Sequence, residues 1–154
     1  MRNHLAAGIG ATLARRLFEE VFNDGEIGVL DELVATEYVE HAVAPFESEE
    51  PGAVHGPSHM RGVVRWLRDQ YPDLQMRILS CVSEGDEVAV RVLSQGTNTG
   101  PLNGVLPPTG RPFRAEQSHW YRIHNGELVE HWAVRDDLRT MQQLGLIPAP
   151  AADR

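Results

Sequence analysis

Asn125-Gly126 separates two runs of alternating side chains, residues 113–124 and 127–136, and is the strongest two-residue hairpin signal in the chain, matching a type I′ turn. An unbroken ladder from that turn sets His124 against Glu127, Ile123 against Leu128, Tyr121 against Glu130 and His119 against Trp132. It continues with Gln117 against Val134 and Ala115 against Asp136. Opposed residues share a sheet face, as do alternate residues along a strand. One face is thereby expected to gather Gln117, His119, Tyr121, Glu130, Trp132 and Asp136. The other carries Glu116, Ser118, Trp120, Arg122, His131 and Arg135, a wetter set suited to solvent or a subunit contact.

The first set is chemically unusual for a core. Burying an acid, an amide and an imidazole without partners costs about 1–3 kcal/mol each, so such groups belong where they line a cavity and meet a ligand or one another. Aromatic walls with a few convergent polar groups are the common form of a small-molecule pocket. A carboxylate desolvated there by Trp132 and Val134 would have a raised pKa and serve as a general acid/base. Asp136 is the expected base, with Asp137 the fallback if a bulge shifts the strand end. Two plainer readings stand beside this one. Asp136 or Asp137 precedes Leu138-Arg139-Thr140 and could cap a helix, and His119 and Gln117 could bond one another inside the core.

The elements that must position these residues follow from periodicity. Ile9, Leu13, Leu17, Phe18, Val21 and Phe22 recur at helical spacing, predicting a first helix over 5–22, with Phe18 and Phe22 as pocket wall or plain core. A shorter helix with Ile27, Leu30, Leu33 and Val34 leads into Tyr38-Val39-Glu40-His41. Residues 44–56, with Pro45, Pro51, Gly52, Glu47, Glu49 and Glu50, read as a solvated loop. A third helix over 57–70 starts on Pro57 and stops before Pro72. The period then becomes two: Met76, Ile78, Ser80 and Val82 alternate, Glu84-Gly85-Asp86 turns, and Val88, Val90 and Val92 return. Residues 96–110 form a long loop of the kind often used as a lid, and a short helix covers 138–144. Three helices followed by about four antiparallel strands predict an α+β fold with one core, residues 1–154 forming one domain.

Composition narrows the function classes. The 154 residues are 42% hydrophobic and 23% charged, enough for a packed core. A net charge of −8 argues against a nucleic-acid partner. All 14 basic residues are arginine, which has no functional reading. Cys81, the one cysteine, allows no internal disulfide and points to a reducing compartment, and no apolar run is long enough for a membrane span. The apolar pattern that begins near Leu5 runs on past Arg15 and Arg16 as a helix, not as a leader, so a cytoplasmic protein is expected. His55 and His59 have i, i+4 spacing, but Gly56-Pro57 lies between them, and no metal site is expected. Gly8-Ile9-Gly10 lacks a preceding strand, no Gly-x-Ser-x-Gly elbow occurs, Cys81 has no catalytic partner, and Trp66 reads as packing.

Taken together, Tyr38-Val39-Glu40-His41, Gly56-Pro57, Tyr71-Pro72-Asp73-Leu74, Gly96-Thr97-Asn98-Thr99-Gly100, Pro108-Thr109-Gly110 and the run from Asn125 through His131-Trp132 to Asp136 resemble the SnoaL-like polyketide cyclases. These are the ester-cyclase branch of the nuclear-transport-factor-2-like (cystatin-like) superfamily. The resemblance covers nearly the whole chain and implies a cone, a curved sheet wrapped around helices and enclosing an apolar cavity. It further implies an intramolecular aldol ring closure without metal or cofactor, with Asp136 as base, Gln117 and His119 on the neighbouring strand, and His41, ending the second helix, at the pocket mouth. Trp132, Tyr121, Phe18 and Phe22 would contact a small hydrophobic, polycyclic ligand. The resemblance also implies a homodimer, or a dimer of dimers, through the face bearing Trp120 and Val129. Rival functions on the same cone are a ketosteroid-isomerase-like or epoxide-hydrolase-like enzyme, and a domain that binds a ligand without transforming it.

Overall fold

A computed structural model describes residues 2–44 and 50–151, with side chains from residue 8 onward. Pro45, Glu47 and Glu49 of the expected loop lie outside the described residues. Helix α1 (Arg2–Arg16) runs directly into a π-wound segment, Leu17–Asn23, together filling the span predicted for the first helix. The wider turns place Leu17, Phe18, Val21 and Phe22 all in the core. The helix end is held in two ways. The Arg68 guanidinium donates to the carbonyls of Phe22 and Asn23 at 2.9 and 3.0 Å, satisfying acceptors left over at a helix C-terminus. The Asn23 carboxamide clasps the backbone N–H and C=O of Met76 at 2.7 and 3.0 Å.

The second helix is shorter than expected. A 3₁₀ turn, Ile27–Val29, leads into α2 (Leu30–Leu33), and Val34 already has extended backbone. Residues Val34–Glu40 form a strand, β1, and Ala53–His55 another, β2. Both escape periodicity: β1 is seven residues long with mixed Thr, Glu and Tyr, and β2 has three. Helix α3 spans Pro57–Gln70, and β3 (Gln75–Glu84), β4 (Glu87–Thr97), β5 (Pro112–His124) and β6 (Glu127–Arg135) follow, then α4 (Asp137–Leu144). The sheet therefore has six strands, not four, in the order β2-β1-β6-β5-β4-β3. It is antiparallel except where β1 lies parallel to β6.

Helices cover one face of this sheet. Gly10 of α1 lies so close to β4 and β5 that an added Cβ would be 3.2 Å from Val88 Cβ and 2.9 Å from Ile123 Cδ1, so Val88 and Ile123 mark the concave side. Val88, Val90 and Val92 of β4 project there with Leu17, Phe18, Leu30, Leu33, Tyr38, Tyr121 and Leu128, and all are buried.

Two bulges change which residues reach that side. In β3 the register shifts between Ile78 and Ser80, so Cys81 pairs with Val90 and packs on the core while Val82 is exposed. The alternation predicted through Ser80 and Val82 breaks there. In the β5–β6 hairpin, Asn125 and Gly126 take φ of 49° and 76°, as a type I′ turn requires, and Ile123 faces Leu128 as expected. The register then slips by one: Arg122 faces Glu130, Tyr121 faces His131, Trp120 faces Trp132 and Gln117 faces Arg135.

The 96–110 segment is stitched down more firmly than a free lid. Buried Asn98 donates to the carbonyls of Gln70 and Gly100 and accepts from the Thr109 N–H at 2.7 Å. Asp73 accepts from the Thr97 N–H and hydroxyl.

Candidate functional site

The slip in β6 decides the site. Beyond Val129, His131, Ala133 and Arg135 turn to the concave side and Glu130, Trp132 and Val134 to the convex side. Of the expected set, Gln117, His119 and Tyr121 share the concave face, whereas Glu130 and Trp132 face away. His131 and Arg135, expected outside, are inside. No change of chain direction is needed: one extra residue inverts every later side chain.

On the concave side the polar groups join into one chain. Gln117 Oε1 lies 3.0 Å from His119 Nε2, His119 Nδ1 lies 2.9 Å from His131 Nε2, and His131 Nδ1 meets the Glu40 carboxylate at 2.8 and 3.1 Å. Glu40 accepts further from the Ala42 N–H at 2.8 Å and the Tyr38 hydroxyl at 3.3 Å. The parallel pairing of Glu40 with His131 brings β1 into reach. Aromatic rings wall the chain. Phe18 sits edge-on to His119 at 5.3 Å and packs on Phe22 at 5.6 Å, and Tyr121 stacks on His131 at 4.5 Å.

Burial governs the charges. His119 is 7% exposed, and desolvation, helped by the nearby charges of His131 and Arg135, holds its imidazole well below the usual histidine range. Burial by itself would raise the Glu40 carboxyl, but the hydrogen bond and charge of His131, with the Ala42 N–H and Tyr38 hydroxyl, outweigh it and pull Glu40 below its ordinary value. Burial pushes the Tyr38 and Tyr121 phenols well up, keeping both neutral.

Gln117 is half-buried in the middle of β5, opposite Arg135 at the end of β6. Its oxygen is engaged by His119, while its amide nitrogen has no hydrogen-bond partner among the described residues. The chain therefore ends in an unused N–H donor backed by a neutral imidazole, an arrangement able to stabilise charge on a ligand oxygen.

Asp136 stands elsewhere than expected. It follows Arg135, the partner of Gln117, but is exposed, and its Oδ1 accepts from the Arg139 N–H at 3.1 Å as the N-cap of α4. The groove it lines is open, about 380 Å³, and includes Glu116, Ser118 and Val134 of the convex face together with part of Gln117. The desolvating wall of Trp132 and Val134 is absent, because Val134 is itself 68% exposed. Asp137, the fallback, pairs with Arg135.

His41 also departs from expectation. It follows a strand, not a helix, and it faces the convex side, stacked on Trp132 at 4.9 Å and bonded to Glu130 at 2.7 Å. Arg122 completes that cluster, bridging Glu130 at 2.6 Å and Glu87 at 2.9 Å and lying over Trp132. His55 and His59 stack at 3.8 Å, and no group of three metal-ligating side chains occurs among the described residues. No helix among them is long and apolar enough to cross a membrane.

Glu40 and His131 are the members that sequence reasoning missed. The signal for Glu40 was present: reading residues 34–40 as a strand puts Tyr38 and Glu40 on one face. His131 was displaced only by the assumption of an unbroken hairpin.

Comparison with known proteins gives a consistent picture. Residues 12–144 match the family described as SnoaL-like polyketide cyclase. The chain is 30% identical over 134 residues to the aklanonic acid methyl ester cyclase DnrD of Streptomyces peucetius, covering 86% of this chain and 88% of that one. It is 30% identical over 125 residues to the nogalonic acid methyl ester cyclase of Streptomyces nogalater, covering 80% and 89%. Among solved structures, IdmH of Streptomyces antibioticus superposes with a TM-score of 0.75 at 33% identity over 88% of this chain and 98% of that one. TsrD of Streptomyces laurentii gives 0.76 at 26% identity over 91% and 97%.

Proposed function

Because the chain belongs to the SnoaL-like polyketide cyclase family, we propose that it closes a ring in a polycyclic, polyketide-like methyl ester by an intramolecular aldol reaction. The observation that carries this reading is the joined Gln117–His119–His131–Glu40 chain ending in an unused amide donor. A carbon flanked by carbonyls loses its proton to a carboxylate, the enolate carbon attacks a ketone of the same molecule, and the resulting alkoxide takes up a proton. Nothing is added or lost, so the step needs only acid/base groups and a stabilised oxygen. Gln117, fixed by His119, donates to the enolate oxygen. Asp136 at the adjoining strand end takes the proton through Oδ2, the carboxylate oxygen its cap does not use. Tyr121, Phe18 and Phe22 support the site from within, and His41 and Trp132, on the other face, are withdrawn from substrate contact.

Aklanonic acid methyl ester and nogalonic acid methyl ester, the compounds in the relatives' names, are the probes. Ring closure leaves the mass unchanged and shifts retention time and absorbance. Turnover by the native protein, abolished in Asp136→Asn, supports the assignment, because asparagine still caps α4. Unchanged turnover in that variant removes Asp136 as base. A second reading, binding without chemistry, is favoured by the exposure of Asp136; it predicts saturable binding of these esters with no conversion. We also place the protein in the cytoplasm, from its single cysteine, and propose a homodimer, or a dimer of dimers, through the convex face with Trp120 and Val129. Light scattering that returns a monomer mass would refute that assembly.

A further inference from the structure

We infer that Glu40 and His131 are positioning residues that fix which way the Gln117 carboxamide points, holding its N–H₂ outward for a ligand oxygen. This rests on the reading of Gln117 as the donor to the enolate, and it adds two residues from the far end of the buried chain to that site.

The argument is one of proton counting along three contacts. Gln117 Oε1 can only accept, so His119 Nε2, 3.0 Å away, carries a hydrogen. A neutral imidazole has one N–H, which leaves His119 Nδ1 as a lone pair. His131 Nε2, 2.9 Å from it, must therefore donate. His131 Nδ1 faces both oxygens of Glu40, which only accept when ionised, so it donates too. His131 thus holds two protons and pairs with Glu40 as an imidazolium. His131 itself touches Glu40 from β1 and His119 and Tyr121 from β5; Tyr38 of β1 reaches Glu40, and Phe18 of the helix and the Arg135 cation of β6 lie nearer His119. Glu40 is the only anion in that set, and its remaining lone pairs are occupied by the Ala42 N–H and the Tyr38 hydroxyl.

Removing the Glu40 charge reverses every bond in the chain. In Glu40→Gln the Ala42 N–H holds the amide carbonyl at the Oε1 position, 2.8 Å from His131 Nδ1, so the neutral ring keeps its proton on Nδ1 and Nε2 accepts. His119 then protonates on Nδ1 and presents a lone pair at Nε2. Gln117 has to turn its N–H₂ inward to meet that lone pair, and its carbonyl oxygen swings out. An oxygen facing a developing oxyanion repels it where the amide had stabilised it. One charge on β1 therefore sets the polarity of a donor on β5, two histidines away.

The test is nitrogen NMR of protein labelled with ¹⁵N-histidine, native and Glu40→Gln, with His119→Gln and His131→Gln used to assign the rings. The native protein near neutral pH should show His131 with both ring nitrogens protonated and His119 in the Nε2–H form. Glu40→Gln should show both rings neutral and His119 switched to Nδ1–H. On the methyl ester probes, kcat of Glu40→Gln should fall toward the 10²-fold typical of losing one oxyanion donor, with KM nearly constant, and Glu40→Asp should recover part of the loss. A neutral His131 in the native protein, an unswitched His119 in Glu40→Gln, or a switch without a change in kcat overturns the inference. If the native protein does not convert the esters, the proposed reaction fails, while the tautomers still decide the chain. If Glu40→Gln does not fold, the native spectrum decides alone.

Discussion

Acidification should destabilise this protein through His119 before its carboxylates come into play. The folded state holds His119 neutral, well below its ordinary value of 6.5, because burial strips its imidazolium of water. The unfolded chain protonates normally. Below about pH 6.5 the unfolded state therefore binds one proton that the folded state refuses, and stability falls as pH is lowered. Glu40 has the same sign but a later window, since its folded value lies below an ordinary 4.5 and its contribution is lost only as pH falls beneath that. The interval from about 6.5 to 4.5 isolates the histidine. Each pH unit through which the folded imidazole stays neutral costs about 1 kcal/mol for one proton, a noticeable share of the 5–15 kcal/mol typical of a domain. Urea unfolding of the native protein and of His119→Gln at several pH values in that interval measures it. Glutamine keeps a polar group beside Gln117 and His131 but cannot titrate, so its curve should fall less steeply by about that amount. Parallel curves would refute the reasoning, because they would mean that His119 gains its proton as readily folded as unfolded.

Substitutions elsewhere in the chain also have defined outcomes. Phe18→Ala empties a fully buried site against Phe22, His119 and Tyr121 and should cost about 3–5 kcal/mol in urea unfolding. Gly100→Ala would put a Cβ 1.7 Å from the Asp69 carbonyl oxygen; the 96–110 segment must then lift from α3, and the melting temperature should drop by several degrees or more, whereas the neighbouring exposed Thr99→Ala should leave it nearly unchanged. Asp136→Ala removes the α4 cap and should cost about 1 kcal/mol, while Asp136→Asn should be close to neutral in stability, which keeps its effect on turnover interpretable.

Much of the architecture was legible because it is written in periodicity. Helix α3 is announced by Pro57 and Pro72, the β5–β6 turn by Asn125-Gly126, and the pairing of Gln117 with His119 by simple alternation along one strand. What stayed hidden depends on contacts between distant segments. β1 reads as a helix tail because Val34 continues the helical spacing of Ile27, Leu30 and Leu33 with no glycine or proline between Leu30 and His41, and it becomes a strand by lying against β6 and β2. The bulge at Val129 leaves no local mark: Leu-Val-Glu-His-Trp alternates acceptably in either register. It is decided by packing, since the slipped register buries His131 and places Glu130 within reach of His41 and Arg122. With the register wrong, the face of Trp132 and the setting of Asp136 were wrong too.

That one-residue insertion in β6 works like a change of reading frame in a strand. Upstream of Val129 the hairpin is spelled in one phase, and downstream in the other, so a single-residue deletion there would exchange the two walls wholesale. Glu130 and Trp132 would be driven into the interior and His131 and Arg135 expelled to water. Variation among relatives at this position would therefore not tune the interior gradually. It would substitute one complete set of interior groups for another in a single step, with turn, helices and remaining strands left as they are.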